Sequence, residues 1–221
     1  MLWDIDHTLI ETRGVGRAIY ERAFPAATGR PLTNLATIAG RTELDIMHET
    51  LRLNGIEPTD VAVRALVDAL IQGYEDARDE LASTGRALPG AHHALQALDA
   101  DPLVHQAVLS GNLRAVSRIK LEVFDLDQYL DFASSAYGDD HEDRVALVSL
   151  AQRRAAERTG VHFDNDHTVL IGDTPNDVRT GLAAGVQVIG VATGKSSVNE
   201  LINAGATITV THLCEVRTHV A

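Results

Sequence analysis

Short apolar runs alternate along the chain with longer stretches in which apolar residues recur every three or four positions. The runs at 2–5, 103–109, 168–171 and 186–191 are the most marked, 132–136 is weaker, and 208–210 is a sixth. Helical spacing marks 91–98, 114–123, 144–159 and 177–184. Strands that alternate with helices imply a parallel sheet covered on both faces. Ligands of such sheets bind beyond the carboxyl ends of the strands. Here those ends carry Asp4 and Asp6, Ser110-Gly111-Asn112, Gly172-Asp173, and Thr193-Gly194.

The alternation lapses between Gly14 and Leu88, where no strand pattern is found and helices are expected at 15–27, 44–54 and 61–81. In the last of these Val63, Leu66, Val67, Leu70 and Tyr74 form one apolar face. Glycine-rich turns bound the segment: Gly14-Val15-Gly16 on one side, Ser83-Thr84-Gly85 and Pro89-Gly90 on the other. The pattern reads as a helical lid hinged at both ends; the alternative is that its helices pack permanently on the sheet. The expected fold class is therefore α/β, a Rossmann-like parallel sheet core (residues 1–13 and 89–221) with an inserted all-helical cap (14–88).

At 221 residues, 45% of them hydrophobic, the chain can bury one good core and a small accessory one. No run is long enough to cross a membrane as a helix. The first residues show no basic region leading into an apolar stretch, and Cys214 is the sole cysteine. Both features lead us to expect a cytoplasmic protein. The formal charge of -12 disfavours nucleic acid and anionic lipid, which are bound through Lys and Arg. A phosphorylated ligand would need local positive charge, and the chain has only two lysines, Lys120 and Lys195, beside seventeen arginines. Oligomeric state is not legible.

Asp4 and Asp6 stand two apart at a strand end, on the same side of the strand. Such a pair is common as a solvated turn, but here it sits in Trp3-Asp4-Ile5-Asp6-His7-Thr8-Leu9-Ile10. That string resembles the nucleophile motif of the haloacid dehalogenase superfamily, in its phosphatase branch with a helical cap (phosphoglycolate phosphatase-like). Val108-Leu109-Ser110-Gly111-Asn112 resembles the second motif of that family. Leu170-Ile171-Gly172-Asp173-Thr174-Pro175-Asn176-Asp177 resembles its fourth. The motifs come in the family's order, and the resemblance covers essentially the whole chain.

The resemblance implies a phosphatase acting on a small phosphorylated metabolite. Asp4 would take the phosphoryl group as an aspartyl-phosphate, and Asp6 would be the general acid and base. Ser110, with Gly111 and Asn112, would bind the phosphoryl oxygens. Mg²⁺ would be held by Asp4, the carbonyl of Asp6, Asp173 and Asp177. Hard oxygen donors suit that ion, and like charges at about 4 Å repel by about 4 kcal/mol at an effective dielectric of 20. The bland reading of Asp177 is a helix-start acid. The third motif offers no lysine; Arg144 is its best match, catalytic and phosphate-binding, with Lys120 as the alternative. Arg41, in Gly40-Arg41-Thr42, is a candidate substrate-binding residue of the lid. His7 stands where the family commonly has Gly, in a turn of unusual conformation that His tolerates better than most residues. His92 and His93 read as the start of a helix, with no cysteine nearby to suggest zinc.

Within the family, Asp6 argues against haloacid dehalogenation, and a lid without lysine argues against phosphonate cleavage through a Schiff base. Phosphosugar mutase-type transfer stays open, as does a non-catalytic phosphate-binding or partner-binding protein on the same fold.

Overall fold

The computed structural model describes residues 1–38 and 40–220. In chain order, β1 (Leu2–Trp3) and β2 (Ile10–Glu11) precede four helices: α1 (Val15–Thr28), α2 (Glu43–Leu53), α3 (Asp60–Asp76) and α4 (Arg78–Thr84). Then come β3 (Arg86–Ala87), α5 (Ala91–Asp99), β4 (Ala107–Val108), α6 (Arg114–Val123) and α7 (Arg144–Thr159). The chain ends with β5 (Val169–Gly172), α8 (Pro175–Ala184), β6 (Gln187–Val191), α9 (Val198–Ala204), β7 (Ile208–Val210) and a 3-10 segment, Leu213–His219. The main sheet is parallel, in the order β4-β1-β5-β6-β7.

Side-chain alternation decides which residue faces which layer. Leu2, Ala107 and Leu170 are aligned across three strands and bury themselves with Leu147 and Val148 of α7. Their neighbours Trp3, Val108 and Ile171 point the other way, into a cluster with Leu95 of α5 and Val216. A strand covered on both faces needs apolar residues at every position, which is why β1 and β5 read as unbroken runs. Burial of each such side chain contributes about 1.5–3 kcal/mol. Trp3 has no exposed surface, and its indole N–H donates to Gln106 Oε1 at 3.1 Å.

The helical segment carries an apolar cluster of its own, with Ile19, Phe24, Met47, Leu51, Leu66 and Leu70 among its members. Leu113, which caps α6, and Val116 and Ile119 within it complete that cluster, whereas Leu121 of the same helix belongs to the sheet side. Helix α6 therefore mortises the two parts together.

Four expectations are corrected. A strand does occur before Leu88: β3 pairs antiparallel with β2, Ile10 opposite Ala87 and Glu11 opposite Arg86, so the two connections to the insert run side by side. Two-residue strands carry no periodicity to read. The run 103–109 yields only Ala107–Val108, because Leu103 lies 91% exposed in the preceding turn. The run 132–136 yields a single bridge, Leu109 to Ala136. There Asp131 captures the N–H of Ala133 and the hydroxyl of Ser134, each at 2.9 Å, and curls the chain. The helix expected at 61–81 breaks at Ala77 (φ -98, ψ 13), where Arg78 spans Glu75 and Glu122. Among the described residues no helix is long and apolar enough to cross a membrane.

Candidate active site

Register brings the motifs together. Trp3 pairs with Val108 on one side and Ile171 on the other. The residues one or two places further on therefore meet at the carboxyl edge: Asp4, Ser110 and Asp173. The N–H of Asp4 donates to the carbonyl of Ile171 at 2.9 Å, and that of Leu109 to Trp3 at 2.9 Å. Beyond Asp4 the chain folds back, with the N–H groups of Leu9 and Ile10 both donating to the carbonyl of Ile5. This turn sets His7 at φ 63, a left-handed conformation in which His is enriched relative to most side chains. The Thr193 hydroxyl donates to the His7 carbonyl at 2.7 Å and fastens the turn.

Asp4, Asp173 and Asp177 are buried, and each offers a carboxylate oxygen within 4.8 Å of the others. The Thr8 hydroxyl lies 3.4 Å from both Asp4 Oδ2 and Asp173 Oδ1. Asp177 plays the helix-start role and a site role at once. Its Oδ2 accepts from the N–H (3.1 Å) and the hydroxyl (2.5 Å) of Thr174, capping α8, while its Oδ1 accepts from Arg144 Nη2 at 2.5 Å. The helix starts at Pro175, two residues before the expected 177, because proline suits the first helical position.

Burial pushes the Asp4 carboxyl well above its usual range, and repulsion from Asp177 adds to this; Arg144 opposes it. Asp173 is pushed up to about 7, first by burial and then by Asp177. Three desolvated carboxylates against one guanidinium leave the site short of positive charge. A divalent cation fits this donor set: hard oxygens, closely gathered and undercompensated. Asp4 and Asp173 are the acids whose oxygens are least committed to other partners.

Arg144 and Lys120 separate cleanly. Arg144 reaches Asp4, with Nη2 3.6 Å from Asp4 Oδ1, and its Nε is buried with no partner among the described residues. Lys120 sits on Asp6 instead. Its ammonium donates to Asp6 Oδ1 (2.9 Å), Asp6 Oδ2 (2.7 Å) and Asn112 Oδ1 (2.8 Å), under the ring of Tyr74. The Asn112 amide donates to Asp6 Oδ2 at 2.6 Å and to Ser110 Oγ at 2.8 Å. Desolvation would raise the Asp6 carboxyl, but Lys120, then Asn112, outweigh it and hold it below the ordinary value. Because the Ser110 oxygen already accepts from Asn112 twice, at its N–H and its amide, the hydroxyl proton is free to donate to a ligand.

The helical segment rests directly on this loop. The N–H of Glu43 donates to the Gly111 carbonyl at 2.6 Å, and the Asn176 amide donates to the Gly40 carbonyl. A Cβ on Gly111 would lie 2.1 Å from the Arg41 carbonyl oxygen, and one on Gly138 would lie 1.9 Å from the Gly111 carbonyl oxygen. Only glycine permits backbones to approach this closely. Arg41 is thus near the site by its backbone. Its guanidinium is engaged within the helical segment by Asp45, Glu49 and the Thr37 carbonyl.

Residues that the pattern did not single out include Thr8, Glu43, Tyr20 and Gly138. Thr8 was legible as part of the first motif. Glu43 reads as an ordinary helix-start acid, and only the seating of α2 on Gly111 reveals what it faces.

The family profile of the haloacid dehalogenase-like hydrolases matches residues 1–191. No functionally curated protein matches the chain by sequence. Several solved structures share the fold. A hydrolase from Pseudomonas syringae is 22% identical with a TM-score of 0.71, over 99% of this chain and 96% of that one. A HAD hydrolase, family IA, variant 3, from Entamoeba histolytica is 18% identical with a TM-score of 0.71, over 99% and 95%. A predicted phosphoglycolate phosphatase from Haemophilus somnus is 15% identical with a TM-score of 0.68, over 99% and 96%.

Proposed function

The chain belongs to the haloacid dehalogenase-like hydrolases, and from that premise we propose that it hydrolyses a small phosphomonoester, with Asp4 as nucleophile, Asp6 as acid and base, and Mg²⁺ as the site's cation. The observation that carries this reading is the division of labour between two acids two residues apart. Asp4 is buried among Asp173, Asp177 and Arg144. Asp6 is drawn aside by Lys120 and Asn112 and keeps 35% of its side-chain surface accessible. One faces a phosphoryl group; the other faces what leaves.

Mg²⁺, held by Asp4 and Asp173 with the Asp6 carbonyl and Asp177 in support, would neutralise the gathered carboxylates and polarise the phosphoryl oxygens. The chain's own residues do the rest. A carboxylate oxygen of Asp4 attacks phosphorus as the bond from phosphorus to the ester oxygen breaks, and the departing oxygen takes a proton from Asp6, which must enter this step in its protonated form, the minor one beside Lys120. Asp6 then removes a proton from the water that attacks the aspartyl-phosphate, releasing phosphate and free Asp4. Proton transfer of this kind is worth about 10²–10⁴ in rate. The Ser110 hydroxyl and the unpartnered Nε of Arg144 supply hydrogen bonds to the phosphoryl oxygens, donors fixed in place before the charge develops. Residues 14–88 act as the cap that excludes bulk water from the aspartyl-phosphate.

Phosphate release from p-nitrophenyl phosphate with Mg²⁺, lost on adding EDTA and in Asp4→Asn, is the expected result. Failure of the wild-type protein to turn over any phosphomonoester with Mg²⁺ would leave the binding-protein reading in its place.

A further inference from the structure

Next to Asp6, where the helical segment meets α6, lies a polar cluster. The lid contributes Glu43 from the first turn of α2, Tyr20 from α1 and Tyr74 from α3; α6 contributes Lys120. The Tyr20 hydroxyl is buried and makes no hydrogen bond within the described residues. Glu43 is only partly covered and lies in the fields of Lys120 and Asp6. Its backbone N–H is pinned to the Gly111 carbonyl at 2.6 Å, next to the Asn112 that Lys120 holds.

The hydrogen-bond count settles the chemistry of the cluster. An ammonium has three donors. All three of Lys120 are spent, two on Asp6 and one on Asn112. No basic group is left to receive an anion from the ligand, while Glu43 still offers a carboxylate that Lys120 does not hydrogen-bond. The cluster offers a ligand a carboxylate acceptor and the neutral hydroxyl of Tyr20, and no unspent cation.

We infer that Glu43, with Tyr20 beside it, is the leaving-group subsite, and that it selects phosphomonoesters whose alcohol carries hydrogen-bond donors, hydroxyl or ammonium, over those whose alcohol carries a carboxylate. The inference rests on the phosphatase reading and narrows it. A leaving-group hydroxyl or ammonium donates to Glu43. A carboxylate in the same place meets a like charge with no cation free to offset it. Sites that leave a buried polar group unpaired discriminate strongly.

The test compares glycerol phosphate, hexose phosphates and phosphoethanolamine with 2-phosphoglycolate. Turnover is measured with wild-type protein, and binding by calorimetric titration of Asp4→Asn with Mg²⁺. We expect kcat/KM for the best donor-bearing ester to exceed that for 2-phosphoglycolate by about tenfold or more, with the same order in Kd. Glu43→Gln should narrow both ratios, chiefly by improving 2-phosphoglycolate, and Tyr20→Phe should narrow them less. A preference for 2-phosphoglycolate overturns the inference. So does an unchanged ratio in a Glu43→Gln protein that melts like wild type. If no ester is turned over, the hydrolase reading fails, and the binding order alone decides the subsite. Hydroxyl and ammonium esters serve as separate arms, since either bears the donor that Glu43 calls for.

Discussion

Asp173→Asn should stabilise the metal-free protein at pH 8 and abolish its response to Mg²⁺. Asp173 lies within 4.8 Å of two other carboxylates, and like charges at that separation repel by about 3.5 kcal/mol per pair at an effective dielectric of 20. Arg144 contacts Asp177 at 2.5 Å and Asp4 at 3.6 Å, so those two are partly compensated in a way that Asp173 is not. Burial, then Asp177, accordingly pushes the Asp173 carboxyl up to about 7, against about 3.9 in an unfolded chain. Between those values the folded state binds the extra proton. Stability therefore falls as pH rises from about 4 to about 7 and stays at its reduced level above that, a penalty of order 4 kcal/mol. Asparagine keeps the shape and removes the charge, so Asp173→Asn should recover about 2–4 kcal/mol at pH 8, or about 5–15 °C in Tm for a chain of this size. At pH 4 the two proteins should differ little. Thermal melts in EDTA and in Mg²⁺ at both pH values read this out: wild type should gain from Mg²⁺ at pH 8, and the variant should not. An Asn variant that melts at or below wild type in EDTA at pH 8, or that gains as much from Mg²⁺, would refute the electrostatic reasoning.

Other outcomes follow from the same geometry. Lys120→Met removes the cation that depresses Asp6, so the pH limb of kcat governed by Asp6 should move to higher pH and kcat should fall by about tenfold or more; an unmoved limb would mean Lys120 does not set Asp6. Gly138→Ala places a methyl group against the Gly111 carbonyl oxygen and should displace the loop carrying Ser110, lowering kcat/KM by about tenfold or more in steady-state kinetics. Leu66→Ala, at a residue with no exposed surface in the helical segment's apolar cluster, should cost about 2–5 kcal/mol in denaturant unfolding.

How legible the sequence was depends on what each feature needs. Helices α6 and α7 match the bounds expected from their periodicity, because ten and sixteen residues of continuous pattern leave little choice. The acids Asp4 and Asp173 were legible because each follows a buried run, and a parallel sheet gathers the ends of its strands; Asp177, in the first turn of α8, was read only from the resemblance to the fourth motif. The short elements were not. β2 and β3 exist only because Ile10 and Ala87 happen to meet across the helical segment's two connections, and the bend at Ala77 is held by an ion pair to Glu122, on another helix. Arg144 was the better match to the third motif and Lys120 the alternative, since periodicity cannot show which carboxylate each will touch. The choice was made by where α6 and α7 dock, one beside Asp6 and the other beside Asp4. Arg41 was singled out for its place in Gly40-Arg41-Thr42, but its guanidinium is held by Asp45 and Glu49, and it is the backbone of Glu43 that rests on Gly111.

The central claim is covalent: the phosphoryl group passes through Asp4. Protein quenched in acid while turning over a phosphomonoester with Mg²⁺, then reduced with borohydride, should yield homoserine at position 4 in its peptide mass spectrum, and none when substrate or Mg²⁺ is withheld. Homoserine at Asp6 or Asp173 instead, or phosphate release with residue 4 left as aspartate under every quench time, would contradict it.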